Sequence, residues 1–110
     1  MFEMKLHSDP FEMIKNGSKT IEMRLNDEKR QLIKIGDIIV FTNSSTGETL
    51  KTEVVALHKF NSFEELYQNF DKISLGYKEE DVANYKDMEQ YYSVDEQTKY
   101  GVLGIEIKRL

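Results

Sequence analysis

The 110-residue chain carries 15 Lys+Arg against 20 Asp+Glu, a formal net charge of −5, and no cysteine. A chain of this length is expected to form one domain, residues 1–110, large enough to bury a core without staples. The lack of cysteine excludes disulfides, cysteine-ligated zinc and thiol nucleophiles, and the acidic balance argues against the broad basic surface of a tight duplex binder.

The elements follow in chain order. FEMKLH (residues 2–7) alternates Phe2, Met4 and Leu6 with polar partners, the period of a half-buried strand. SDPFEMIKNG predicts a short helix, with Asp9 as N-cap, Pro10 in the first turn, Glu12 closing a capping box, and Asn16-Gly17 as the stop. Residues 19–25 alternate again, Ile21, Met23 and Leu25 against Thr20, Glu22 and Arg24. Gly36-Asp37 predicts a turn, residues 38–42 a buried strand, and NSSTGE a second turn. TEVVALHKF reads as a long strand, its adjacent Val54 and Val55 suggesting burial on both faces. NSFEELYQNF predicts a helix with a Ser62–Glu65 capping box and Phe63, Leu66 and Phe70 inward. KISLGYKEED reads as loop, DVANYKDMEQYY as helix, SVDEQTKYG as a further helical turn or two capped by Ser93 and Glu96, and VLGIEIKRL as the closing strand.

The order β-α-β-β-β-α-α-β lacks the helices that a parallel sheet needs between its middle strands. It predicts an α+β fold, a small mixed β-barrel with flanking helices. No apolar run approaches the roughly 20 residues of a membrane span, and MFEMKLHSD has no signal-peptide pattern. The expected protein is cytoplasmic and touches no membrane. Its acidity lies in residues 61–110, which hold 6 Lys+Arg and 11 Asp+Glu, the pattern of solvated helix faces.

The segment that carries chemistry is GSKTIEMR, residues 17–24. Period two puts Glu22 and Arg24 on one strand face while Ile21 and Met23 anchor the other. Lys19 enters just after the helix-ending glycine. Together they supply a cation, an acceptor and a planar five-donor fork, a set suited to a nucleobase or nucleoside. The alternative is an ion pair on a solvated strand, which contributes little.

GSKTIEMR resembles the G-x-K-x-x-E-x-R signature of the ASCH family, relatives of PUA-type RNA-binding barrels. Gly17, Lys19, Glu22 and Arg24 match its four specified positions. Such a match arises by chance on the order of once in a thousand chains of this size. The resemblance extends over essentially the whole chain. It implies a barrel of about five to six strands and a cleft beside the motif that takes RNA or a modified nucleoside, with Gly17, Lys19, Glu22 and Arg24 at the ligand.

Some small members of this family are amidohydrolases that deacetylate N4-acetylcytidine, using the motif lysine, a threonine three residues on, and a later glutamate. Lys19 matches the lysine, but Glu22 stands at the threonine position. The catalytic set carried over by resemblance is Lys19, Glu22 and, from the later helical region, Glu64. Glu22 could act as a general base on water while Lys19 polarises an amide carbonyl. Glu65 already has a structural reason in its cap.

Tyr77, Tyr91, Tyr92 and Tyr100 offer faces on which a base can stack; Tyr77 is taken as the ligand contact, core packing being the alternative for each. Lys29, Arg30 and Lys34 form a small basic patch. Two isolated histidines, His7 and His58, make no metal site, so neither metal nor cofactor is expected. The oligomeric state is left open. A third reading makes the motif a buried structural network in a protein-interaction module.

Overall fold

The computed structural model describes residues 1–110. Its five strands are β1 (Phe2–Leu6), β2 (Ile21–Leu25), β3 (Ile38–Asn43), β4 (Thr49–Phe60) and β5 (Val102–Arg109). They form one sheet in the order β1-β3-β4-β5-β2. β1 runs parallel to β3, and the other neighbours are antiparallel. β1 and β2 therefore end the sheet. The sheet curls into a half-barrel, and the guanidinium Nη2 of Arg24 on β2 donates to the Lys5 carbonyl on β1 at 3.3 Å, a side-chain bond across a seam that no backbone ladder closes.

The helices are α1 (Ser8–Asn16), α2 (Phe63–Asn69), α3 (Lys72–Leu75) and α4 (Val94–Tyr100), with 3-10 turns over Arg30–Leu32 and Tyr85–Gln90. None is long and apolar enough to cross a membrane. Two apolar clusters hold the fold. Phe11 and Ile14 of α1 pack with Phe41, Leu103 and Ile105 on one face of the sheet. Ile21, Met23, Leu25 and Val102 pack with Phe63, Leu66, Leu75 and Met88 on the other. The alternation read in residues 19–25 thus separates two environments.

Several local expectations need correction. Helix α1 begins at Ser8, and the residue at its cap position, His7, makes no side-chain capping bond. Asp9 lies inside the first turn, where its charge still complements the helix dipole. The Ser8 hydroxyl instead donates to Asn43 Oδ1 at 3.2 Å, tying the helix start to the end of β3.

Residues read as loop contain α3, capped by Asp71, whose carboxylate accepts from the Ser74 N–H, and stopped by Gly76. The helix expected over residues 81–92 is only the 3-10 turn with Met88 buried. Val54 is buried and Val55 half-buried because the β4–β5 register shifts between Val54 and Ala56, a bulge that turns two neighbours out of strict alternation. The Ser93–Glu96 capping box of α4 forms in both directions.

Candidate functional site

Lys19 follows the left-handed stop of α1 at Gly17 (φ 90°). Its backbone N–H donates to Met13 and the next N–H to Ser74, so the strand entry is pinned between α1 and α3. The Lys19 side chain runs inward and is 6% exposed. Its Nζ donates to the Leu75 carbonyl at 3.1 Å and lies 3.2 Å from Glu22 Oε1.

The stem of Lys19 rests on Gly76. A Cβ there would stand 3.0 Å from Lys19 Cδ, and the residue's φ is +101°. Both the left-handed backbone and the bare α-carbon favour glycine at this corner, which holds the lysine head where it is.

Glu22 is 4% exposed. Its Oε2 accepts from Arg24 Nε at 2.8 Å and lies 2.8 Å from Nη2, while Oε1 faces Lys19. Burial on its own would push the Glu22 carboxyl up, but Lys19 and Arg24 outweigh burial and hold it below the ordinary carboxylate range. Arg24 is held above its ordinary value: burial opposes its charge, and Glu22, with the Tyr92 hydroxyl beside it, more than offsets this.

The sign of the linked pH dependence follows. A carboxyl whose folded pKa is depressed contributes stability that is present above the unfolded value, about 4.3 for glutamate, and lost as pH falls through the folded value. Urea unfolding between pH 7 and pH 2 is therefore expected to show Glu22→Gln less stable than the parent at neutral pH, with the two curves converging in acid. Parallel curves at all pH values would remove the charge of Glu22 from the account.

These three heads open onto a cleft of about 530 Å³, within the range of roughly 300–1,000 Å³ usual for small-molecule sites. The cleft runs along the free edge of β2, since Glu22 and Arg24 line it from one face of the strand and Met23 from the other. Lys5 borders it from β1, His7 from the start of α1, and Tyr67, Tyr77, Asp87, Tyr91 and Tyr92 from the later segments. The Tyr67 and Tyr77 hydroxyls are 2.8 Å apart, and the Tyr77 hydroxyl donates to Asp87 Oδ2 at 2.7 Å. Burial, with those two hydrogen bonds, holds the Tyr77 phenol far above the ordinary tyrosine value, so it stays neutral.

This arrangement is recognisable. The ASCH domain family matches residues 4–110. The chain belongs to the ASCH family. Among solved structures, this ASCH domain is similar to the hypothetical protein PH0355, with 35% identity and a TM-score of 0.83 over 99% of this chain and 98% of that one. It is also similar to protein PF0455 from Pyrococcus furiosus, with 37% identity and a TM-score of 0.72 over 99% and 96%. The crystal structure of an S128A mutant of ZmASCH from Zymomonas mobilis shares the fold at 12% identity and a TM-score of 0.68, over 97% of this chain and 68% of that one. No curated protein matches. The curled five-stranded sheet with flanking helices is the α+β, PUA-like architecture expected of an ASCH domain.

Lys19, Glu22, Arg24 and Tyr77 thus meet at one cleft in this ASCH domain. Gly17 does not line it and serves as the left-handed cap of α1. Glu64, carried over as a catalytic candidate, is corrected by its position: it is exposed on α2, outside the cleft, with its carboxylate beside the Tyr85 hydroxyl. Tyr100 lines a separate shallow groove. Of the basic patch, Arg30 is paired with Asp27 at 3.0 Å. Tyr67, Asp87 and Gly76 were not singled out from the sequence. Gly76 carried a signal, as a glycine next to a cap-like Asp71–Ser74 segment. The partnership of Tyr67, Tyr77 and Asp87 spans 20 residues and has no local pattern.

Proposed function

We propose that the cleft is a nucleobase site, taking an unpaired base of RNA or a modified nucleoside. The observation that supports this best is the convergence of the Lys19, Glu22 and Arg24 heads in a largely desolvated hollow, with hydrogen-bonding capacity to spare. Lys19 Nζ spends two of its three donors on Leu75 and Glu22, leaving one for a carbonyl or phosphate oxygen. Glu22 Oε1 keeps a lone pair for an exocyclic amine. Arg24 is committed to Glu22 and to the β1–β2 seam, and orients the set. Tyr91 and Tyr92 supply faces on which a base can stack, a contact worth about 1–3 kcal/mol per base.

Amide hydrolysis of an acylated nucleoside is less well supported. Both oxygens of Glu22 face cations, and its depressed pKa makes it a weak general base. The threonine of the deacetylase pattern is absent at this position.

The test is calorimetric titration and thermal shift with the common nucleosides, N4-acetylcytidine and short single-stranded RNAs, in parallel with product analysis of N4-acetylcytidine. Binding of at least one base, weakened about tenfold or more by Lys19→Ala, is expected, since a hydrogen bond to a charged group contributes about 1.5–3 kcal/mol. Release of cytidine would turn the site into an enzyme's. A panel without hits, combined with a lowered melting temperature for Lys19→Ala, would leave the motif as a structural network.

A further inference from the structure

The part of the cleft lined by Tyr67, Tyr77 and Asp87 has a fixed hydrogen-bond polarity. Tyr77 Oη lies 2.7 Å from Asp87 Oδ2, 3.2 Å from the Asn84 carbonyl and 2.8 Å from Tyr67 Oη. The carboxylate and the carbonyl can only accept, so the single Tyr77 proton is directed to them. Tyr67 must then be the donor in the pair of phenols. Its oxygen is left with lone pairs alone, and so are both oxygens of Asp87. The relay Tyr67→Tyr77→Asp87 therefore lines the cleft with acceptors, in the same cleft as the donors Lys19 and Arg24.

The two sets of residues also differ in exposure. Lys19 and Glu22 are buried, whereas Asp87 is exposed at the mouth. A nucleoside whose base reaches Lys19 and Glu22 leaves its sugar near the mouth. An acceptor-only wall there suits hydroxyl donors. Carboxylates recur as partners of ribose hydroxyls, and the 2′-hydroxyl is the group that tells ribose from deoxyribose.

We infer that Asp87, held with Tyr77 and Tyr67 in this relay, is a specificity residue that accepts from a ribose hydroxyl and makes the cleft select ribonucleosides over 2′-deoxyribonucleosides. The inference rests on the base-binding reading above and adds the sugar to it. A hydroxyl donating to a carboxylate is a charge-assisted bond. Its loss is expected to weaken binding about tenfold.

The experiment titrates the parent, Asp87→Asn and Tyr77→Phe with each common ribonucleoside and N4-acetylcytidine, and with their 2′-deoxy and 2′-O-methyl counterparts. The 2′-O-methyl compounds keep the oxygen and lose the donor. The parent is expected to bind the ribo form about tenfold tighter than either counterpart. In Asp87→Asn the amide can donate to Tyr77 and reverse the relay, so the preference is expected to fall to about twofold or less. Tyr77→Phe leaves Asp87 without its partner and is expected to reduce the preference partway. Asp87 is exposed, so melting temperatures close to the parent's are expected and would confirm that Asp87→Asn is folded. Equal binding of ribo and deoxy forms by the parent, or full preference retained in Asp87→Asn, overturns the assignment and leaves the base site standing. Binding of no nucleoside overturns both.

Discussion

Glu22→Ala is expected to destabilise the fold by about 3–5 kcal/mol, the cost of removing one partner from a buried ion pair. The size follows from what is left behind. Lys19 is 6% exposed and the Arg24 side chain 15% exposed. Without the carboxylate, two cations share a hollow of low effective dielectric, each having lost its anionic partner. Nothing comparable holds for Lys15–Glu48, whose partners are 46% and 42% exposed, so that solvent screens the pair and its loss leaves no buried charge. Denaturant unfolding with an unchanged m-value is the measurement.

A second variant separates charge from shape. Replacing Lys19, Glu22 and Arg24 together by Met, Leu and Met removes every charge at similar volume. It is expected to cost less than Glu22→Ala alone, because the network removed whole leaves no unpaired charge, and only the Leu75 and Lys5 carbonyls lose a donor. A loss below about 1 kcal/mol for Glu22→Ala would mean the three heads are solvated, and the ligand site would fall with them.

The network also marks how far the sequence could be read. Strand alternation placed Glu22 and Arg24 on one face and Ile21 and Met23 on the other, because a period of two is a property of the local chain. The capping box of α4 was legible for the same reason: Ser93 and Glu96 sit three residues apart. The partners of Lys19 were not. Leu75 is 56 residues away, and α3, which presents its carbonyl, has four residues, too few for any periodicity to register. The start of α1 is not legible locally: no side chain caps it, and the Ser8 hydroxyl bonds Asn43, 35 residues on. The sequence points to Glu64 only by its region of the chain, and the rotation of α2 turns it toward Tyr85 and solvent. Residues 81–92 suggest a helix carrying Val82, Tyr85 and Met88 or Glu89 on neighbouring faces. Of these Met88 is buried and Val82 is 88% exposed, so tertiary packing rewards only the short 3-10 segment Tyr85–Gln90.

The fold of residues 61–100 is therefore set by what it packs on, and Phe63 is where that dependence is greatest. Phe63→Ala is expected to cost about 3–5 kcal/mol, the transfer and cavity terms of a buried aromatic. Phe63 is fully buried in the cluster that joins α2 to β2. Its ring stacks on Tyr92 with centroids 5.9 Å apart and planes 20° apart. Tyr92 in turn lines the cleft beside Arg24. Truncation should then do two things at once: lower stability in denaturant unfolding, and loosen the wall on which a base would stack. Phe63→Leu distinguishes them. Leucine refills most of the hollow, so its stability cost should be well below that of alanine, while the stack on Tyr92 is lost in both. If Tyr92 owes its place to that stack, the affinity for whichever nucleoside binds falls in Phe63→Leu nearly as far as in Phe63→Ala. If affinity instead tracks stability across the two variants, Tyr92 is held by Arg24 and the seam, and the core reaches the cleft only through the general integrity of the fold.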